Sequence, residues 1–205
     1  MPQKRRIPTQ KRSREKYDAI LSTAKALIGE RGNDSVSMRE IAKEAELPIS
    51  SIYQYFPDKS AILGAIMQGY FDDIREMIKR FLGECKSIDD FQNGLITGID
   101  LFYSLFKNDT ALASLWAGMQ ANNELKELDA EDSRINARLI TETLTSIIKD
   151  KEESEIYSAI LLFLYTTGMT VRLALTIPAA EGDKLIEELK LLAKLRIEAL
   201  EQASP

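Results

Sequence analysis

The stretch SMREIAKEAELPISSIYQYFPDK, from Ser37 to Lys59, carries the signals for two short helices separated by a tight turn. Ser37 followed by Glu40 is a capping box, in which the Ser hydroxyl takes one orphan backbone N–H and the Glu carboxylate reaches back to another. Ile41, Ala42 and Ala45 then form the inward stripe of the first helix. That helix cannot run through Leu47-Pro48, because Pro48 has no N–H and pushes the residue before it out of the helical region. Proline does, however, suit the opening of a new helix. A second helix therefore starts near Pro48 and is stopped by Phe56-Pro57. Its inward positions are Ile52, Phe56 and, in part, Tyr55, which leaves Ser50, Ser51, Tyr53 and Gln54 outward. These four are hydrogen-bonding groups with the reach for phosphates and base edges, and the layout is that of a helix-turn-helix. On spacing alone, a plain helical corner with a solvated face stays open as the other reading.

The charge distribution favours the first. Residues 1–16 hold Lys4, Arg5, Arg6, Lys11, Arg12, Arg14 and Lys16 against Glu15 alone. A basic arm ahead of such a motif suits the DNA backbone or the minor groove, although a solvated tail has the same composition. Residues 1–60 sum to +4 and residues 61–205 to −9, giving the net −5 of the chain. The acidic balance therefore lies outside the part that would face DNA.

From Tyr17 to about Tyr70 the order YDAILSTAKALIGERG, then SMREIAKEAELPISSIYQYFPDKSAILGAI, resembles the DNA-binding domain of the tetracycline-repressor family of bacterial transcriptional regulators. The resemblance covers about a quarter of the chain. One departure stands at the turn, where Glu46 occupies the place at which the family most often has glycine and has to sit at positive φ. The resemblance implies that Ser37, Arg39, Tyr53, Tyr55 and Lys59 hold phosphates, while Ile49, Ser50 and Gln54 approach base edges. These roles are physically sensible. Gln pairs bidentately with adenine, Ile49 suits a thymine methyl, and Lys59 stands at a helix N-terminus, where anions are already favoured. Tyr55 has a competing role as a packing residue.

Composition bounds the alternatives. With 205 residues and 44% apolar side chains the chain is globular and large enough for one sizeable core or two modest ones. Cys85 is the single cysteine, so an internal disulfide is excluded, and it reads as a small hydrophobe rather than a redox sensor. No secretory signal is visible. The uncharged run from Ile156 to Val171 reads as a buried helix rather than a membrane span, and a cytoplasmic protein without membrane contact is expected. The chain has no histidine, no Gly-rich phosphate loop and no metal-ligand spacing. We therefore expect no enzyme activity, no metal and no cofactor.

Elsewhere helical periodicity dominates, predicting an all-α fold in two domains. A basic disordered arm at 1–12 precedes a helix-turn-helix domain at 13–58 and a helical effector-binding and dimerisation domain at 59–205. Helices are expected at about Ser13–Arg31, from Pro57 to about Leu82, and at Ile88–Lys107, Asp109–Met119, Glu124–Lys149, Glu152–Thr176 and Gly182–Glu201. The fourth helix would link the DNA-binding head to the rest. Ser154–Ile177 is apolar around most of its circumference, and with Leu185, Leu189, Leu192, Ala193 and Leu200 it predicts a two-helix face that forms a four-helix homodimer interface. The resemblance implies the same, together with a small-molecule effector. Phe102, Phe106, Trp116, Met119, Gln120, Tyr165 and Met169 are candidates to line its cavity, although such stripes also serve as plain core. Arg134 and Arg138 could meet an anionic ligand or form a salt-bridged face, and Arg172 could snorkel or pair at the interface. The sequence reads as a ligand-responsive repressor acting on a palindromic DNA operator. The alternative is a ligand-independent, all-helical DNA-binding or adaptor protein.

Overall fold

The computed structural model describes residues 10–119 and 122–202, and among them there are nine α-helices, one 3-10 turn and no strand. The helices are α1 Lys11–Arg31, α2 Met38–Glu44, α3 Ile49–Tyr55, α4 Lys59–Glu84 and α5 Ile88–Asn108. They continue as α6 Thr110–Met119, α7 Asn123–Ile147, α8 Glu153–Thr176 and α9 Ala179–Glu201, with the 3-10 turn at Asn33–Ser35. Lys11 and Arg12, expected in the arm, are the first residues of α1, and the arm before Gln10 lies outside the described residues.

The largest difference from the sequence-based boundaries is at α9, which begins at Ala179 instead of Gly182. Pro178, at φ −53°, pre-sets the chain for helix entry, and its carbonyl accepts from the N–H groups of Glu181 and Gly182. Gly182 is therefore not a breaker. It lies buried in the first turn, where a Cβ would sit 2.3 Å from the Ala174 carbonyl oxygen of α8, so it permits the close approach of the two helices.

The chain divides into two compact units, one up to Phe71 plus Asp109–Asp129, the other Asp72–Asn108 plus the residues from Ala130 onward. The division expected from sequence, after residue 58, differs because α6 packs on α1 and carries Leu112, Leu115, Trp116 and Met119 into the same core as Ile20, Ile28, Ile41, Ile52 and Ile62. Burying side chains of this size contributes roughly 1.5–3 kcal/mol each, more than the short α2 and α3 could supply alone. A polar cluster fixes the start of α6. Asp109 accepts from the Leu112 N–H at 3.1 Å, from the Tyr70 hydroxyl at 2.6 Å and from Lys25 at 3.0 Å. Burial pushes the Asp109 carboxyl up, but these hydrogen bonds outweigh it and the group ends below the usual carboxylate range. The cluster's stabilisation is thus present above the free carboxyl pKa of about 3.9 and is lost as pH falls through the lower folded value.

In the second unit α9 packs on α8 and α5. The core cluster comprises Leu82, Phe91, Ala137, Ile140, Leu144, Ile148, Ile156, Ile160, Ile197 and Leu200, with Cys85 half-buried at its edge. Burial, followed by the nearby Asp90 and Glu84 carboxylates, pushes the Cys85 thiol up, in keeping with a packing role. By length and composition α8 could cross a membrane. It is not the buried helix expected from sequence, because one side packs inward while Leu162, Met169 and Leu173 are 65, 63 and 52% exposed. The residues expected at the α9 interface also divide. Leu189, Ala193 and Leu200 share an inward stripe with Ile186 and Ile197, and only Leu192 of that set is fully outward, beside Leu191 and Leu195.

Candidate nucleic-acid interface

The capping box at Ser37 closes as its residue types dictate: the Glu40 N–H donates to Ser37 Oγ at 3.3 Å, and Ser37 N–H donates to Glu40 Oε2 at 2.8 Å. Bonds from the Ser37 hydroxyl and then its N–H hold the Glu40 carboxyl below its ordinary range. Helix α2 ends at Ala45, and Glu46 turns the chain at φ 52°, the positive φ expected at this non-glycine position. The Leu47 N–H then donates to the Ala42 carbonyl at 3.0 Å, and Pro48 caps α3.

Two anchors set the rotation of α3. Ile52 is fully buried and Phe56 nearly so, with the Phe56 ring stacked on Tyr17 at 5.0 Å. Rotation about these anchors leaves Ile49, Ser50, Tyr53 and Gln54 exposed and Ser51 half-exposed. Tyr55 turns back, its hydroxyl 2.9 Å from Ser13 Oγ and its ring edge-on to Tyr17. Of its two candidate roles, packing is the one it performs here, and Ser13 and Tyr17 join it as supports that the sequence reading passed over. Their signal was the arrangement of aromatics in the first helix. Arg39 is exposed on α2. The hydroxyl of Ser37 is occupied within its cap, donating to Glu40 Oε2 at 2.7 Å.

Lys59 departs most from its expected position. Its ammonium does not stand free at the start of α4 but donates to the carbonyls of Asn33 and Val36, the latter at 2.9 Å. It ties the loop before α2 to α4, with one N–H left over. Replacing Lys59 by Ala should therefore lower the urea midpoint at constant slope, by about 1–3 kcal/mol for the stranded carbonyls. Unchanged stability with a log K against log salt slope flattened by about 0.9 would instead assign the ammonium to phosphate.

The effector candidates do not form a single group. Phe102 and Phe106 belong to the second unit, with rings 4.9 Å apart, whereas Trp116 and Met119 are buried in the first, Trp116 edge-on to Phe71 at 6.2 Å. Tyr165 and Met169 lie on the outward side of α8 rather than lining an interior, and Gln120 lies outside the described residues. Arg134 pairs with Glu131 at 2.9 Å on an ordinary charged face, Arg138 is exposed and Arg172 is half-buried.

Comparison with known proteins agrees with this geometry. Residues 20–66 match the family described as "Bacterial regulatory proteins, tetR family", and residues 91–199 match "Tetracyclin repressor-like, C-terminal domain". The chain is 39% identical over 59 residues to the HTH-type transcriptional regulator YuxN of Bacillus subtilis, covering 29% of this chain and 20% of that one. It is 30% identical over 111 residues to the regulator EthR of Mycobacterium tuberculosis, covering 54% of this chain and 51% of that protein. These matched stretches thus span about half or less of those relatives. The fold superposes on the fatty acid degradation regulator FadR of Bacillus halodurans with a TM-score of 0.67 at 20% identity, over 87% of this chain and 94% of that one. The C-terminal match alone spans more than half of the sequence, and with the α2–α3 geometry it establishes that this chain belongs to the tetracycline-repressor family of bacterial transcriptional regulators.

Proposed function

We propose that the chain is a homodimeric repressor that holds a pseudo-palindromic operator through α3 and releases it when a small molecule binds. The outward face of α3 supports this reading most directly: Ile49, Ser50, Tyr53 and Gln54 stand clear of a helix whose rotation Ile52 and Phe56 fix. Gln54, Ser50 and Ile49 approach base edges, while Arg39 and Tyr53 hold phosphates, joined by the remaining donors of Ser37 and Lys59. The outward rows of α8 and α9 join two copies, placing two α3 helices one DNA turn or a little more apart, about 34–36 Å or a simple extension of it. The protein works in the cytoplasm, carries out no chemistry on its ligand, and responds to an effector only insofar as that effector binds one separation better than the other.

Gln54→Ala tests the reading of sequence. The variant should lose about 1–3 kcal/mol on the best operator and discriminate less at one base pair of each half-site, with binding to random duplex nearly intact. Equal losses on both duplexes, measured by gel retardation at one salt concentration, would reduce Gln54 to a positioning role.

A further inference from the structure

The interior of the second unit changes character along its length. Around Leu144, Ile148, Ile156 and Ile160 it is wholly apolar. Farther along, the inward residues of α7 include Asp132, Asn136 and Thr141, and those of α8 include Thr167, each no more than 9% exposed. Helices α7 and α8 are joined only by residues 148–152 and share one core cluster, so they run back along each other, which sets Thr167 about level with residues 133–137. On both helices, then, polar residues interrupt the inward stripe in the same region.

Their hydrogen bonds are incomplete in a specific way. Arg75, largely buried on α4, pairs with Asp132 and with Asp72. Asn136 Nδ2 donates to Asp132 Oδ2 at 2.8 Å. That bond fixes which way the amide points, since the nitrogen must face the carboxylate, and Asn136 Oδ1 is left as a buried acceptor with no partner among the described residues. The hydroxyls of Thr141 and Thr167 are likewise unpartnered. A helical Thr usually returns its hydroxyl to the carbonyl four residues back, as Thr145 does to Thr141 at 2.8 Å, but these two do not. Buried polar atoms are nearly always paired, and each one left alone weakens the fold.

We propose that Asn136, Thr141 and Thr167 are the polar end of the effector site, and that the effector is an uncharged molecule with a hydroxyl or primary amide head and an apolar body. The inference rests on the ligand-responsive reading above and narrows its chemistry. Asn136 Oδ1 requires a donor, and the two hydroxyls accept or donate as needed. An anionic head is disfavoured, because Arg75 is already matched by two carboxylates and a carboxylate ligand would meet an acceptor oxygen beside Asp132. A cationic head would have to shed its water without a free counter-charge. The surrounding Ile and Leu side chains suit an aliphatic body.

The test uses full-length protein with decanamide, 1-decanol and decanoate as probes, read by calorimetry and by thermal unfolding. Decanamide and decanol should bind saturably, and decanoate at least about tenfold more weakly. The doubly isosteric variant Thr141→Val/Thr167→Val should bind decanamide about 5- to 100-fold more weakly, as expected for one or two lost hydrogen bonds. Without ligand its Tm should be unchanged or higher, since two unpaired hydroxyls have been removed. Three outcomes overturn the proposal: no saturable binding of any probe, decanoate bound as well as the amide, or a variant that melts lower yet binds all three as before. The last would leave these atoms to buried water. Operator retardation on the same preparation separates the two levels. Operator binding without binding of the neutral probes rejects this site alone, and absence of operator binding rejects the proposed function.

Discussion

A protein carrying Leu192→Glu should sediment as a monomer at micromolar concentration and lose about 100-fold or more of its operator affinity. Leu192 is 63% exposed on α9 beside Leu191 and Leu195, and Leu162, Met169 and Leu173 form the corresponding row on α8. A run of large apolar side chains left to water marks an interaction surface, and a two-fold pairing of this helix pair would bury both rows at once. Glutamate there would strand a charge in a dry interface. The affinity loss follows because the second head of a dimer binds as an intramolecular event, at an effective concentration that a monomer lacks. Leu189→Glu is the control. Leu189 faces its own chain, so this variant should fail to fold instead of dissociating cleanly. An L192E protein that stays dimeric and binds the two-half-site operator at full strength would place the interface elsewhere.

Glycine substitutions should split by sign. Gly182→Ala inserts a methyl 2.3 Å from the Ala174 carbonyl oxygen and 3.1–3.2 Å from its C and Cα, all backbone that cannot swing aside. The two helices must separate, costing about 1–3 kcal/mol net of the roughly 1 kcal/mol that alanine returns in helix propensity. Gly69→Ala, in the exposed part of α4 with nothing within 4 Å of the added Cβ, should instead stabilise by up to about 1 kcal/mol. At about 2–4 °C of Tm per kcal/mol for a chain of this size, the two variants should melt on opposite sides of the parent. Equal shifts in one direction would show that the helices move apart at no cost.

The parts of this fold that were legible in the sequence are those governed by residues with strong local chemistry. Ser37 with Glu40, Pro48 and Phe56-Pro57 each constrain the backbone at their own position, so helix ends there follow from types alone. Glu46 could be read as a positive-φ residue because α2 and α3 leave no other way through the turn. The effector candidates were harder to place because aromatic and Met residues pack equally well inside a core or across an interface. Pattern alone cannot rotate a helix such as α8, which is apolar on both sides. That is how Tyr165 and Met169 came to be expected inside. The opposite blindness hid Asp132, Asn136 and Thr141, since polar residues on a charged helix look solvated until the neighbouring helices are in place. Lys59 was misleading for a third reason: a helix N-terminus suggests anions, while the two carbonyls that take its ammonium come from residues more than 20 positions earlier.

Trp116 is the sole tryptophan of the chain, and it is buried edge-on to Phe71 within the first unit. Its emission is therefore a spectroscopic tag on one half of the molecule. A fluorescence melt would follow the unit that contains α1–α3 and report only indirectly on α5, α8 and α9, whereas circular dichroism weighs every helix. Coincident transitions from the two signals would mean that both units unfold as one cooperative block. A fluorescence transition displaced from the dichroic one would give each half its own stability, and every Tm shift discussed above would then have to be assigned to the unit in which the substitution lies.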